Sequence, residues 1–223
     1  MRFHNIIQTL KEKNIPIEST DRIQSNQAKE IIETNPVKLF RSWFKEAIVA
    51  GEHEPEAMAL ATTGKNGRPG VRMVLFKDFI TDGFTFFTNY ESRKAIEIEH
   101  TPYGSLLFYW PKLYRQVRVE GKIRKAPAIV SDRYFGSRPL ENRISACISP
   151  QSAVIPDHLF LDAMHEAFRK DLGTSEPDRP ETWGGFLLIP DRFEFWTGRE
   201  NRLHDRIQYR KTRKGWIIEW LAP

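Results

Sequence analysis

The chain has 223 residues, of which 40% are hydrophobic and 28% charged, a composition typical of a soluble globular protein. Its single cysteine, Cys147, excludes an intramolecular disulfide, and its six histidines include no helical His-x-x-x-His pair that would indicate a metal site. The net charge of +5 favours an anionic partner, and nucleic acid, a membrane surface and a phosphorylated small molecule all remain open. Because no membrane-spanning apolar run and no signal-peptide pattern occur, we expect a cytoplasmic protein.

The first 34 residues are polar and predict a partly flexible N-terminal arm, whereas residues 35–223 are expected to form one domain. Asn35 and Pro36 predict the start of a helix, since asparagine caps helices and proline suits the first turn, and Gly51 predicts its end. Further helices are expected at about 92–99, 126–137 and 156–172. Strand patterns occupy 57–62, 71–77, 84–88, 105–110, 114–122, 183–189, 192–196, 206–210 and 216–221.

The spacing of these strands predicts a mainly β fold with peripheral helices (α+β), built on a small antiparallel barrel rather than a parallel sheet. Asp82-Gly83, between two of the strands, is typical of a hairpin turn. Neither a Gly-x-Gly-x-x-Gly motif nor a Walker sequence occurs, which disfavours dinucleotide-binding and P-loop folds.

The segment 196–206 concentrates positive charge beside an aromatic ring, with three arginines and His204 following Trp196. Arginine pairs bidentately with phosphate and stacks on rings, so the segment suits a planar, phosphorylated ligand. A solvated hairpin tip would explain the segment equally well. His204 has a pKa range suited to proton handling, although a lone histidine is more often structural.

A second candidate anion site is Ser92-Arg93-Lys94. Serine is a favourable N-cap, which places two cations in the first helical turn, where they oppose the helix macrodipole. A bound phosphate would satisfy both cations, the free backbone N–H groups and the serine hydroxyl. The alternative is a pair of solvated surface cations.

Two further residue pairs indicate a second phosphate pocket. Arg72 and Lys77 are an odd number of residues apart on a predicted strand, so one ligand reaches both only at a bend or a strand end. Tyr134 and Arg138 are four residues apart, and we predict that they share a face of a helix ended by a proline. An arginine in a last turn is also structurally favourable, so a purely structural role stays open.

Ten short motifs occur in order between about residue 35 and the C-terminus, and together they are highly specific although each is weak alone. They are Arg72-Met-Val-Leu-Phe-Lys77, Phe87-Thr-Asn89, Ser92-Arg-Lys94, Arg115-Gln-Val117, Tyr134-Phe-Gly-Ser-Arg-Pro139, Ser149-Pro-Gln-Ser152, Trp183-Gly-Gly185, Phe195-Trp196, Arg202-Leu-His-Asp-Arg206 and the terminal Leu-Ala-Pro. In these motifs the sequence resembles the pyridoxine/pyridoxamine 5′-phosphate oxidases.

The resemblance implies an FMN-binding split β-barrel, a homodimer, and FMN at the subunit interface. It implies oxidation of pyridoxamine 5′-phosphate and pyridoxine 5′-phosphate to pyridoxal 5′-phosphate, with hydride passing to the flavin and O2 then reduced to H2O2. The implied cofactor contacts are Arg72, Met73, Val74, Leu75, Phe76, Lys77, Phe87, Thr88, Arg93, Lys94, Gln116, Gln151, Ser152, Trp196 and Arg206. The implied substrate contacts are Lys77, Tyr134, Arg138, Asn142, Arg202, Leu203 and His204, with Arg202 and His204 catalytic and no metal.

Two features depart from the family pattern. Asn142 stands where the family usually has serine, and the arm lacks a convincing copy of the Arg-x-x-Tyr-like element that covers the substrate. The alternative function is a non-catalytic flavin or pyridoxal phosphate binding protein on the same barrel, although such a carrier would not need both Arg202 and His204. A nucleic-acid-binding barrel would need exposed aromatics beside a lysine-rich stripe, so we expect neither nucleic acid nor membrane as a partner.

Overall fold

A computed structural model describes residues 33–223 of the chain, so nearly all of the expected arm, residues 1–34, lies outside the described residues. The first helix, α1, spans Pro36–Val49, as predicted. Asn35 Oδ1 accepts hydrogen bonds from the backbone N–H groups of Val37 at 2.9 Å and Lys38 at 3.3 Å. These bonds satisfy donors that the first helical turn leaves without a partner.

Nine strands form one sheet within residues 33–223. They are β1 (Ala57–Thr63), β2 (Pro69–Leu75), β3 (Asp78–Ile80), β4 (Gly83–Asn89), β5 (Tyr103–Trp110), β6 (Arg115–Lys125), β7 (Trp183–Thr197), β8 (Asp205–Thr212) and β9 (Gly215–Trp220). Eight of them overlap predicted strands, whereas β3 was not predicted. The strands pair in the order β2-β1-β5-β6-β7-β4-β3, with β8 between β7 and β9. The pairings β1–β2, β3–β4, β4–β7, β7–β8 and β8–β9 are antiparallel, as expected.

Four more helices are present in the described chain: α2 (Arg93–His100), α3 (Ala128–Gly136), α4 (Leu140–Ile148) and α5 (Phe160–Leu172). Helix α4 was not predicted, because a proline also signals the end of a preceding helix. Pro139 occupies the N-cap position of α4, in keeping with the preference of proline for helix starts. Within residues 33–223, no helix combines the length and the apolar character needed to cross a bilayer.

Strand β7 is continuous over 15 residues, whereas two separate strands, 183–189 and 192–196, were predicted. Pro190 suggested a break because it cannot donate a ladder hydrogen bond. Gly121 of β6 lies directly against this point, since a Cβ there would be 2.0 Å from the carbonyl oxygen of Ile189. The missing side chain therefore lets the two backbones approach closely where the proline lies.

The described chain divides into two compact units. The large unit comprises Ala57–Leu106 and Glu120–Pro190, and the small unit comprises residues 33–56, Leu107–Val119 and Asp191–Pro223.

Each unit has its own aromatic core. In the large unit, Phe86 and Phe186 stack with ring centroids 5.7 Å apart. In the small unit, Phe40 of α1 contacts Phe108 at 5.0 Å, and Phe195 meets Tyr209 edge to face at 5.6 Å. These side chains are at most 3% exposed, so burial of their aromatic surface stabilises both units.

Replacing Gly121 by alanine is expected to lower the free energy of unfolding by ~1–3 kcal/mol, because the new methyl would collide with backbone atoms that cannot rotate away. Gly136, at the end of α3, is the matched control, since a Cβ there meets nothing within 4 Å. Gly136→Ala should leave stability unchanged or raise it by up to ~1 kcal/mol. Urea denaturation of both variants measures the difference, and equal effects would contradict the close approach.

Candidate functional site

The large unit contains a cavity of about 400 Å³ with an unusual charge balance. Three cations line it, and none of its lining residues, all within the described chain, is a carboxylate. We call it the cationic cavity. Its lining residues are Met73, Val74, Leu75, Lys77, Phe87, Thr88, Lys94, Tyr134, Arg138, Asn142, Gln151 and Trp183. Eleven of these twelve residues were predicted to contact cofactor or substrate, and the structure brings them together.

Lys94 is the most buried cation of the cavity, with 9% of its surface exposed. Its ammonium donates to three neutral oxygens, Thr88 Oγ1 at 2.9 Å, Ser92 Oγ at 3.1 Å and Gln151 Oε1 at 3.1 Å. Burial and, to a smaller extent, the charge of Arg72 lower the pKa of Lys94 to about 8, while Glu97 opposes both effects. The site therefore holds a lysine whose charge is only partly compensated, as an anion site requires.

Ser92 occupies the N-cap position of α2, as predicted, but its side chain makes no capping hydrogen bond. The hydroxyl accepts from Lys94 instead. The Ser92 hydroxyl therefore orients Lys94 and does not form the capping hydrogen bond that would normally stabilise the start of the helix.

Arg138 lies beyond the helix on which it was predicted, because α3 ends at Gly136. The expectation of a shared helix face with Tyr134 is therefore wrong, although both residues line the cationic cavity. Burial lowers the pKa of Arg138, and the nearby Tyr134 and Cys147 oppose this effect. Its Nη1 is buried without a hydrogen-bond partner in the described structure.

Three nearly parallel rings form one wall of the cavity. Phe87 stacks on Tyr134 at 4.0 Å between centroids and on Trp183 at 5.5 Å, with interplanar angles of 20° and 12°. Lys77 Nζ lies 6.0 Å from the centroid of the Tyr134 ring. Burial raises the pKa of Tyr134, with Arg138 opposing, so the phenol stays protonated and can donate a hydrogen bond.

Lys77 reaches the cavity because β2 ends at Leu75, two residues earlier than predicted. Its backbone N–H donates to the carbonyl oxygen of Thr85 at 2.9 Å, which fixes the chain beyond the strand end. The strand end thus lies between Arg72 and Lys77, as their odd spacing required, but Arg72 is not among the lining residues of the cationic cavity. Between them, Phe76 is 1% exposed and packs in the core against Phe84, so only its backbone is available to a ligand.

Arg72 and Arg93 converge on Glu97, a residue that the sequence analysis did not select. Glu97 Oε2 accepts from Arg72 Nη2 at 2.9 Å, and Oε1 accepts from Arg93 Nε at 2.8 Å. Thr62 also donates to this carboxylate. Although burial raises the pKa of Glu97, the hydrogen bonds from Thr62, Arg93 and Arg72 outweigh it and hold the pKa below its usual value. The i,i+4 spacing of Arg93 and Glu97 is the signal that could have identified it.

A second cavity, of about 580 Å³, opens beside this cluster and includes Arg93, Glu97, Gln151 and Ser152 in its lining. Gln151 lines both cavities. Its Oε1 accepts from Thr88 Oγ1 at 2.7 Å as well as from Lys94. The amide therefore joins β4, α2 and the loop after α4 at one point.

The remaining predicted site residues lie in the small unit: Gln116, Trp196, Arg202, Leu203, His204 and Arg206. His204 lies 4.7 Å from Trp196 between ring centroids, and its Nδ1 accepts from the backbone N–H of Arg199 at 3.2 Å. Asn201 and Arg202 both have positive φ, +57° and +60°. Backbone strain of this kind in non-glycine residues often marks functional sites.

Two arginines of the charged segment 196–206 are paired within the small unit. Arg199 donates to Asp205 at 2.8 Å, and Arg206 Nε donates to Glu194 at 2.8 Å. Glu194 is buried, and it also accepts from Arg118 at 2.5 Å. The sequence analysis missed Glu194, although a lone acid between Phe193 and Phe195 in an apolar strand is the signal for a buried ion pair. The exposed Arg202 has no side-chain partner within residues 33–223.

Comparison with known proteins agrees with this arrangement. The family model of pyridoxamine 5′-phosphate oxidase matches residues 44–170, and that of the pyridoxine 5′-phosphate oxidase C-terminal dimerisation region matches residues 183–223. The chain belongs to the pyridoxamine 5′-phosphate oxidase family. The pyridoxine/pyridoxamine 5′-phosphate oxidase of Haemophilus influenzae (strain Rd) is 49% identical over 94% of this chain and 98% of its own. The Burkholderia ambifaria protein of the same name is 50% identical over 85% of this chain and 89% of its own.

Solved structures confirm the expected split-barrel fold. PhzG from Burkholderia lata 383, in complex with tetrahydrophenazine-1-carboxylic acid, has a TM-score of 0.82 and 29% identity, covering 87% of this chain and 95% of its own. A pyridoxamine 5′-phosphate oxidase-related, FMN-binding protein from Nostoc punctiforme has a TM-score of 0.67 and 20% identity, covering 82% and 97%. At that identity, the second likeness is one of fold alone.

Replacing Glu97 by glutamine is expected to lower the free energy of unfolding by ~3 kcal/mol, because Arg72 then lacks its compensating charge. Glu219→Gln is the control, since Glu219 pairs with Arg210 on the surface and should contribute less than ~1 kcal/mol. Because the folded pKa of Glu97 is lowered, its contribution is present above the unfolded pKa and lost as the pH falls. Urea denaturation should show a smaller difference in free energy of unfolding between wild type and Glu97→Gln at pH 4 than at pH 7. A difference of the same size at both pH values would contradict this role of Glu97.

Proposed function

We propose that the protein oxidises pyridoxamine 5′-phosphate and pyridoxine 5′-phosphate to pyridoxal 5′-phosphate, with FMN as cofactor, O2 as electron acceptor and H2O2 as product. The observation that carries the proposal is the cationic cavity, whose three cations face no lining carboxylate and whose Arg138 Nη1 is buried without a partner. A buried donor of this kind costs free energy unless a ligand satisfies it. A phosphate group would satisfy it with a charge-assisted hydrogen bond.

The residues of the two cavities fit FMN. Lys94, Thr88 and Gln151 would hold its phosphate and ribityl oxygens, and the Arg72–Glu97–Arg93 cluster would supply further donors at the first turn of α2. When bound, FMN supplies the two-electron acceptor for the substrate carbon. The chain's own part is to bind, orient and exclude water.

The substrate phosphate would lie with Lys77, Tyr134 and Arg138, which line the same cavity. Asn142 lies there too, in place of the usual serine of the family. Its amide carries a donor and an acceptor, so it can bond a phosphate oxygen, but more weakly than the charged donors beside it. We therefore assign Asn142 a minor share of phosphate binding.

We further propose that a homodimer completes the site, with the small-unit residues Arg202, Leu203 and His204 holding the pyridine ring against the flavin of the other subunit. The match to a C-terminal dimerisation region supports this assembly. Because His204 Nδ1 accepts from the backbone N–H of Arg199, Nε2 is the ring nitrogen that would donate to the substrate. The guanidinium of Arg202, which has no side-chain partner among residues 33–223, would be available to a negatively charged group of the substrate or flavin. Gln116, Trp196 and Arg206 would contact the flavin.

Two further proposals concern the protein as a whole. Residues 35–223 would act as one functional domain, and the protein would act in the cytoplasm.

The purified protein should be yellow and should consume O2 and release H2O2 when given pyridoxamine 5′-phosphate. Arg138→Ala is expected to raise the KM about 10- to 150-fold, since it removes a charge-assisted contact of ~1.5–3 kcal/mol. Asn142→Ser should change the KM by less than about tenfold. The measurement is oxygen uptake with FMN-saturated enzyme.

Two results of that assay would contradict the proposal. A protein that binds FMN but never consumes O2 with either substrate would favour the carrier function. If Asn142→Ser were more damaging than Arg138→Ala, the cavity would be built for a different substrate.

FMN affinity should fall as the pH rises above about 8, the pKa of Lys94 in the free protein. Bound phosphate stabilises the charged ammonium, so above that pH binding must take up a proton and loses up to about tenfold per pH unit. The measurement is flavin-fluorescence titration of the apoprotein between pH 6.5 and 9.5. Lys94→Met should bind FMN more weakly, with a flatter pH profile. Riboflavin, which lacks the phosphate, should show no comparable fall, and parallel profiles for the two flavins would contradict the assignment.

A further inference from the structure

The guanidinium of Arg138 is held in a different way from those of Arg143 and Arg72, two other arginines of the large unit. Arg143 donates two hydrogen bonds to Glu176, at 2.9 and 3.1 Å, and Arg72 pairs with Glu97. Arg138 makes no side-chain hydrogen bond or ion pair within residues 33–223; its Cζ lies 4.8 Å from the centroid of the Trp183 ring. An aromatic face attracts a cation without accepting its N–H groups in strong hydrogen bonds.

Trp183 is itself firmly placed. It is the first residue of β7, where it is registered opposite Asn89 of β4, and its backbone N–H donates to the carbonyl oxygen of Pro180 at 3.0 Å. Its indole ring stacks on Phe87 with the centroids 5.5 Å apart, and Phe135 contacts it edge to face at 5.4 Å between centroids. With 7% of its surface exposed, the ring has little freedom to move.

The difference between an acid and a ring as partner has a chemical consequence. A carboxylate beside Arg138 would neutralise the guanidinium, occupy its donors and repel an incoming phosphate. The indole face leaves the full positive charge in place and leaves Nη1 without a partner. The ring also limits the orientations that the guanidinium can adopt, which reduces the entropy lost when it binds a ligand.

We infer that Trp183 is a positioning residue that sets the preference for phosphorylated over unphosphorylated substrates, by holding Arg138 on its ring face with the donors free. This inference rests on the proposed function, in which Arg138 binds the substrate phosphate. Trp183 touches the cavity as well, but its role in phosphate recognition acts through Arg138.

The test compares Trp183→Leu and Trp183→Phe as FMN-loaded enzymes. Leucine removes the π face and should raise the Kd for pyridoxal 5′-phosphate about 3- to 30-fold, while the Kd for pyridoxal changes less than twofold. Phenylalanine keeps a ring face and should retain most of the wild-type preference. The KM for pyridoxamine 5′-phosphate should follow the same order, with a smaller change in kcat. Absorbance titration of the bound flavin gives the two Kd values.

Trp43→Leu is the matched control, because Arg115 Cζ lies 4.4 Å from the Trp43 ring centroid in the small unit. It removes an arginine–tryptophan contact of the same type and should leave the ratio of the two Kd values unchanged. If Trp183→Leu weakened both ligands equally, or if Trp183→Phe lost as much preference as Trp183→Leu, the inference would be overturned while the proposed function stood. Wild-type enzyme that bound both ligands equally would remove the role of Arg138, and both claims would fall together.

Discussion

The candidate site in the large unit depends on how cationic side chains are held where few carboxylates neutralise them. Glu97 compensates two arginines, Arg72 and Arg93, beside the second cavity. Within the cationic cavity, Lys94 is held by hydroxyl and amide oxygens and Arg138 by an indole ring. These neutral partners orient Lys94 and Arg138 but do not neutralise their positive charge. The cavity is therefore electrostatically complementary to a dianionic phosphate.

This constraint explains several local features that are unfavourable in isolation. The Ser92 side chain does not cap α2 because it accepts from Lys94. Arg138 leaves one buried donor without a partner. Violations of local rules that cluster in one place are expected at functional sites, where stability is exchanged for ligand binding.

Much of the fold could be predicted from the sequence, because its signals are local. The Asn35-Pro36 helix start, the alternating strands and the turn at Asp82-Gly83 each follow from one or two neighbouring residues. The strand that this turn joins to β4 is β3, however, and not the predicted strand 71–77. The errors arose where a local signal had two meanings. Pro139 both follows one helix and begins the next, and Pro190 lies inside a strand that Gly121, 69 positions earlier, makes room for.

The site was predictable only in part, for the same reason. The family motifs identified eleven of the twelve lining residues of the cationic cavity, but not the contacts that orient them. Gln151 meets Thr88 across 63 positions of the chain, and Arg138 meets Trp183 across 45, and no local pattern specifies either contact. Glu97 was accessible from its helical spacing to Arg93, whereas its second bond, to Arg72, depends on the pairing of β1 with β2 and the packing of α2.

The most direct test of the central claim is a crystal structure of the FMN-loaded protein with pyridoxal 5′-phosphate. The claim is that Arg138, which lines the cationic cavity without an ion pair in the described part of the chain, binds the substrate phosphate. It predicts a phosphate oxygen within about 3.2 Å of Arg138 Nη1, with the guanidinium still on the Trp183 ring. A phosphate bound elsewhere, with Arg138 Nη1 still lacking a hydrogen-bond partner, would contradict it.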